Sequence, residues 1–178
     1  VMAACVHINA GDDTEIDMGR LSSEVVLRSI RCDFSGKPYD GEQITEVKAY
    51  LTNLNATCSL IPQGDGQVKR VINHKGLVSQ DLRSFRDSTM IFREIGNIDT
   101  EGVRPSACFI CYPNEAEEES IGTPYTRLVI EGKIMGETWF WPIDINRGPA
   151  ASSPEGVSRN SRYVFDIIIR SKGTKDPD

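Results

Sequence analysis

Three successive stretches near the end of the chain alternate in apolar character with a period of two, and this alternation commits the chain to a fold built from sheets. Leu128, Ile130, Gly132 and Ile134 share one parity. Trp139, Trp141, Ile143 and Ile145 share another, and Tyr163, Phe165, Ile167 and Ile169 a third. Successive side chains of a strand leave opposite faces of a sheet, so this pattern predicts half-buried antiparallel strands. Gly136-Glu137 stands between the first two stretches and, with glycine first, suits a two-residue type II′ hairpin turn. A loop rich in Gly, Pro and Ser, residues 147–157, precedes the third.

The same reading extends upstream. Residues 21–34 are apolar and extended, but Val25 and Leu27 lie on one parity whereas Ile30, Cys32 and Phe34 lie on the other. A switch of phase within one strand predicts a bulge near Arg28-Ser29, or a strand that crosses between sheets. Residues 36–41 form a turn cluster. Residues 44–54 alternate again, with Val47, Ala49 and Leu51 facing in and Lys48 and Thr52 facing out. Residues 62–67 are a Gly-containing loop. Ser79 to Arg86 is the best helix candidate, about two turns long, with Ser79 as cap and Leu82 and Phe85 three apart. No repeat and no linker divides the 178 residues, which suffice for one domain with a real core. The expectation is an all-β antiparallel sandwich of seven or eight strands with one short helix, spanning 1–178 as a single domain. Its core should include Leu128, Ile130, Trp139, Trp141, Ile143, Phe165, Ile167 and Ile169.

Composition narrows the partners. A net charge of −6 and a pI near 5.0 argue against nucleic acid and anionic membrane surfaces. No apolar run approaches the roughly 20 residues of a membrane-spanning helix. The chain opens Val1-Met-Ala-Ala-Cys5 without the basic and apolar regions of a signal peptide. Met2-Ala-Ala-Cys5 has a faint likeness to a lipoprotein cleavage box, but a strand over residues 3–9, entered from a removed segment, is the preferred reading.

The residues that could carry chemistry do not assemble into a motif. Five cysteines are an odd number, so at least one is free or pairs between molecules. Cys108 and Cys111 have C-x-x-C spacing within an extended run, where residues three apart point to opposite faces, so no bridge between them is expected. A redox pair needs a helix N-terminus to lower its thiol pKa, and Pro113-Asn114 disfavours one. The two histidines, His7 and His74, lie in an early strand and a loop, without the neighbours that a hydrolytic triad or a zinc site requires. The acidic run Glu115 to Ser120 lacks the alternation and glycine of a calcium loop and reads as solvated surface. Trp139 and Trp141 could stack on sugar rings, but their parity with Ile143 and Ile145 favours the core, while Phe140 should be exposed or lie beneath a loop. No catalytic, cofactor-binding or metal residue is therefore assigned, and the chain reads as a non-enzyme.

Several stretches nevertheless resemble one known family. Residues 44–55 (ITEVKAYLTNLN), 109–114 (FICYPN), 126–132 (TRLVIEG), 139–143 (WFWPI), 159–163 (RNSRY) and the end from Gly173 to Asp178 follow, in order and spacing over about 135 residues, the pattern of fimbrillin-type subunits of Bacteroidales, the type V pilus family. The resemblance implies a transthyretin-like sandwich that forms the C-terminal domain of a longer two-domain pilin, with residues 1–20 as connector or leading strand. It also implies export as a lipoprotein precursor to the cell surface and outer membrane, and assembly of a fimbrium by strand exchange. The implied role is structural and adhesive, with other pilin subunits as partners through β-strand addition and a host or bacterial surface ligand, and with no nucleic acid. The alternative reading is a carbohydrate-binding module, which requires exposed Trp139 and Trp141. An enzyme domain would require a concave pocket holding His74 and a carboxylate. Asp87-Ser88-Thr89 resembles the short O-glycosylation signal of exported Bacteroidales proteins, which would place a glycan on Ser88. Ser171 to Asp178 is polar and contains Pro177, so no donor strand is expected there and the chain should be monomeric or weakly associating.

Overall fold

A computed structural model describes residues 2–3, 18–59, 71–83, 88–116, 119–120 and 123–178. Seven long strands carry the fold. They are β1 (Ser23–Cys32), β2 (Ile44–Thr52), β3 (Phe92–Ile98), β4 (Ala107–Cys111), β5 (Arg127–Ile134), β6 (Glu137–Asp144) and β7 (Arg162–Ile169). One sheet has the order β6-β5-β2-β3 and the other the order β7-β1-β4. Two minimal ladders flank them, Met2–Ala3 with Gly19–Arg20 and Leu54–Asn55 with Val71–Ile72. The expected all-β sandwich is present, and among the described residues every strand pairing but one is antiparallel. The exception is β7, which joins β1 in parallel. Alternation fixes which side chains face inward but carries no information on strand direction.

The core forms where the two inner faces meet. Val25, Leu27, Ile30 and Cys32 of β1 and Phe109 of β4 pack with Val47, Ala49 and Leu51 of β2 and Leu128, Ile130 and Ile134 of β5. Each fully buried aliphatic side chain contributes about 1.5–3 kcal/mol relative to exposure. The phase switch in β1 is accommodated as expected: β7 pairs Phe165 with Leu27 and then Asp166 with Ser29, leaving Arg28 as the extra residue. The bulge keeps both halves of β1 facing the core. Leu128, Ile130 and Ile169 of the expected core are fully buried, whereas Trp139, Trp141, Ile143, Phe165 and Ile167 pack against that core half-buried. Their positions explain the difference, because β6 and β7 are edge strands and cover the core from the rim.

Three local expectations change. The hairpin between β5 and β6 turns at Met135-Gly136, both with positive φ (52° and 80°), and Ile134 faces Glu137. This is the pattern of a type I′ turn and not the expected II′ turn at Gly136-Glu137. Thr52 does not face solvent: it and Tyr50 are fully buried on the outer face of the four-stranded sheet. The short helix spans Ser79–Arg83 and starts from the Val78 carbonyl, so Ser79 is not its cap. The expected strand over residues 3–9, His7, the loop at 62–67, Phe85 and Asp87 lie outside the described residues, in whole or in large part.

Candidate functional site

A two-sheet sandwich has four edges, and the backbone groups along them are its most reactive surface toward another chain. The edge at β6 follows from the hairpin. With Ile134 and Glu137 closing a two-residue turn, the pairs at residues 137, 139, 141 and 143 hydrogen-bond to β5. The backbone groups of residues 138, 140, 142 and 144 therefore turn outward. Pro142 stands at one of these positions and offers no N–H. Phe140 stands at another and is taken by the chain's own tail: its N–H donates to the Thr174 carbonyl at 3.0 Å, and the Thr174 N–H donates back at 2.8 Å.

The tail is held along its length. The Trp141 indole N–H donates to the Ser171 carbonyl at 3.0 Å. The Lys175 ammonium sits 3.5 Å from the centre of the Trp139 ring and 3.3 Å from Glu137, and that of Lys172 lies 5.0 Å from the same ring. At the far end Asp178 accepts from Arg127 and, at 3.1 Å, from the Asn53 amide. Arg127 also pairs with Asp144 and Glu119, each at 2.7 Å. Burial opposes the guanidinium charge, but the hydrogen bond to Asp144 and the three carboxylates outweigh it and raise the pKa. Phe140 lies in the hollow beneath this tail with Tyr50, Glu131 and Pro177, as a residue of its parity should.

The edge at β7 is different. The Glu24 N–H donates to the Ser161 carbonyl at 2.9 Å and the Asp33 N–H to the Ile169 carbonyl at 2.8 Å. Odd-numbered backbone groups thus face β1, and those of Arg162, Val164, Asp166 and Ile168 turn outward. No proline interrupts them and, among the described residues, no strand pairs with them. Tyr163, Phe165 and Ile167 point toward the core half-buried, while Val164 and Ile168 are 45% and 39% exposed. Asp166 is pinned over the β1 bulge by Arg28, at 2.9 Å from Nε, and by Ser29 at 2.6 Å. The Arg28 hydrogen bond, followed by that of Ser29, holds its carboxyl well below the usual carboxylate range. The two remaining edges are less suited to pairing. β3 meets β2 through two register irregularities, and β4 has only five residues and packs against the turn at Ser88–Met90.

Residues weighed for chemistry fall elsewhere. Trp139 and Trp141 face the core and the tail, which removes the exposed indole pair that the carbohydrate reading required. His74 is exposed, with Nδ1 3.0 Å from the Asn53 amide oxygen. The side chains of Cys108 and Cys111 leave opposite faces of β4, and Cys32, Cys58, Cys108 and Cys111 are all free thiols. Burial raises the Cys111 thiol pKa to about 12. Ser88 opens a one-turn 3₁₀ segment. Of the acidic run, Glu119 is committed to Arg127 and to the Tyr125 N–H. Sequence reasoning overlooked the tail, whose polar residues carry no alternation; Gly173 beside Thr174 was the one local clue to a close backbone approach.

No protein-family model and no curated protein matches the chain. Solved structures do. The fold is shared with a protein of Parabacteroides distasonis. That protein, a "putative cell adhesion protein", matches with a TM-score of 0.55 at 14% identity over 85% of this chain and 45% of its own. A second of the same description and organism gives a TM-score of 0.49 at 13% identity, over 90% of this chain and 55% of its own. This chain therefore spans about half the length of the structures it matches. At such identity the likeness concerns the fold.

Proposed function

We propose that this chain is a structural and adhesive subunit of a cell-surface fimbrium, and that it takes a strand from a neighbouring subunit along the free edge of β7. The observation that carries this reading is the edge itself: four consecutive outward positions whose backbone groups find no partner among the described residues, next to a row of half-buried apolar side chains. An added strand would satisfy the backbone groups, and its alternate side chains would cover Tyr163, Phe165 and Ile167. The shared fold with the Parabacteroides protein supports a surface role. Export as a lipoprotein, placement at the outer membrane, other pilin subunits as partners and a surface ligand belong to the same proposal, as does the absence of catalysis.

Val164→Pro tests the reading. It removes one outward N–H and leaves the β1 ladder intact, since the β1 bonds run from odd-numbered residues. Fimbriae built with this variant should be lost or much shortened while the purified chain keeps its unfolding midpoint. Normal fimbriae from a stably folded variant would contradict strand addition at β7.

A further inference from the structure

The two long edges of the sandwich are treated differently by the chain. Among the described residues nothing pairs with the outer edge of β7, whereas β6 is closed at Phe140 by a segment that returns from β7 itself. The closure is specific. Gly173 passes so near β6 that a Cβ built there would lie 2.0 Å from the Phe140 carbonyl oxygen and 3.0 Å from the Trp141 indole nitrogen. Only glycine permits that approach. Thr174 then makes both backbone bonds of an antiparallel pair, its hydroxyl reaches the Phe140 carbonyl at 3.2 Å, and Lys175 adds a bond to the Thr138 carbonyl at 3.3 Å. Asp178 pins the end. Thr138 and Phe140 are thereby engaged, and Pro142 has nothing to donate.

We propose that residues 171–178 are an intramolecular strap that closes the β6 edge and makes strand addition one-sided. The proposal rests on the fimbrial reading for its use in assembly, but not for the contact it describes. Without the strap, the partner that fits this edge is a second copy of it. An antiparallel pair centred on Phe140 restores the two bonds that Thr174 supplies. It sets Thr138 opposite Pro142 and Gly136 opposite Asp144, so no like charges face each other. The strap would thus keep each subunit from pairing at β6 and leave β7 as the site of growth.

The test uses the full chain carrying Gly173→Ala, with Thr174→Pro as a second route to the same lesion. Amide hydrogen exchange and sedimentation are read across protein concentration. In the parent chain the Phe140 amide should be protected and the chain monomeric. In either variant at low concentration, Phe140 should exchange about tenfold faster or more, while Trp139 and Trp141, bonded to β5, stay protected. At higher concentration a dimer should appear and Phe140 should slow again. Unchanged Phe140 exchange in both variants would overturn the strap. A freed Phe140 with a monomer at every concentration would overturn β6 as a pairing edge. The amides of Val164 and Ile168 report on β7 independently, so failure of the strap and failure of strand addition at β7 give different patterns.

Discussion

Among single residues, Gly132 is a tight constraint in the core. A Cβ there would meet Ile44 Cγ2 at 2.5 Å and Val47 Cγ2 at 3.2 Å, both on the neighbouring strand and both fully buried. Gly132→Ala should therefore destabilise by about 1–3 kcal/mol through overpacking, read as a lower urea midpoint. Trp141 is half-buried at the rim, so Trp141→Ala should cost about 2–3 kcal/mol, less than the 3–5 typical of a fully buried tryptophan. Tyr50 gives a pH signature. Burial, and then the Glu131 carboxylate 3.1 Å from its hydroxyl, push its pKa well above the ordinary value of 10.0. The unfolded chain ionises this group near pH 10 and the folded chain does not. Its stabilisation is therefore full below pH 10 and is lost as pH rises beyond it. Tyr50→Phe should remove that part of the alkaline loss, seen by comparing urea midpoints at pH 8 and pH 11. Among the thiols, Cys32 and Cys111 are buried with raised pKa values and should resist iodoacetamide in the native chain, and peptide mapping should find no bridge between Cys108 and Cys111.

At the scale of elements, what could be read from the sequence is what a local period encodes. The inward faces of β5 and β7 and the bulge in β1 follow from the parities of Leu128 and Ile130, of Phe165 and Ile169, and of Leu27 and Ile30. Burial at the outer face of β2 could not be read this way, because residues distant in sequence, among them Gly76, Phe140 and Pro177, gather over Tyr50. The parallel direction of β7 was equally hidden, since alternation looks the same in either direction. The hairpin turn was misplaced by one residue because Met135 adopts positive φ, a conformation that its side chain disfavours and that the flanking ladder imposes. The tail was illegible for a related reason. Its docking depends on backbone bonds at Thr174 and on charges at Asp178 and Arg127, none of which produces a hydrophobic pattern. Arg127 ties three separate segments to one strand, so Arg127→Met should leave the Asp178 carboxylate held, among the described residues, by Asn53 alone and loosen the tail, read as faster exchange of the Thr174 amide.

At the level of the whole molecule the sandwich is asymmetric: one sheet closes its β6 edge with the chain's own tail and a proline, and at the β7 edge of the other no strand among the described residues pairs. A monomer in dilute solution is consistent with both features, because β7 shows a partner only backbone groups and half-buried side chains until a suitable strand arrives. The proposed strand addition places such a strand at β7. Hydrogen exchange over residues 162–169 tests it most directly, compared between the purified chain and the protein within assembled fimbriae from the cell surface. The account predicts that the amides of Val164, Asp166 and Ile168 exchange rapidly in the isolated chain and become strongly protected in the assembly, with those of Tyr163 and Phe165 protected in both. Fimbriae in which Val164 and Ile168 exchange as fast as in the isolated chain would contradict it.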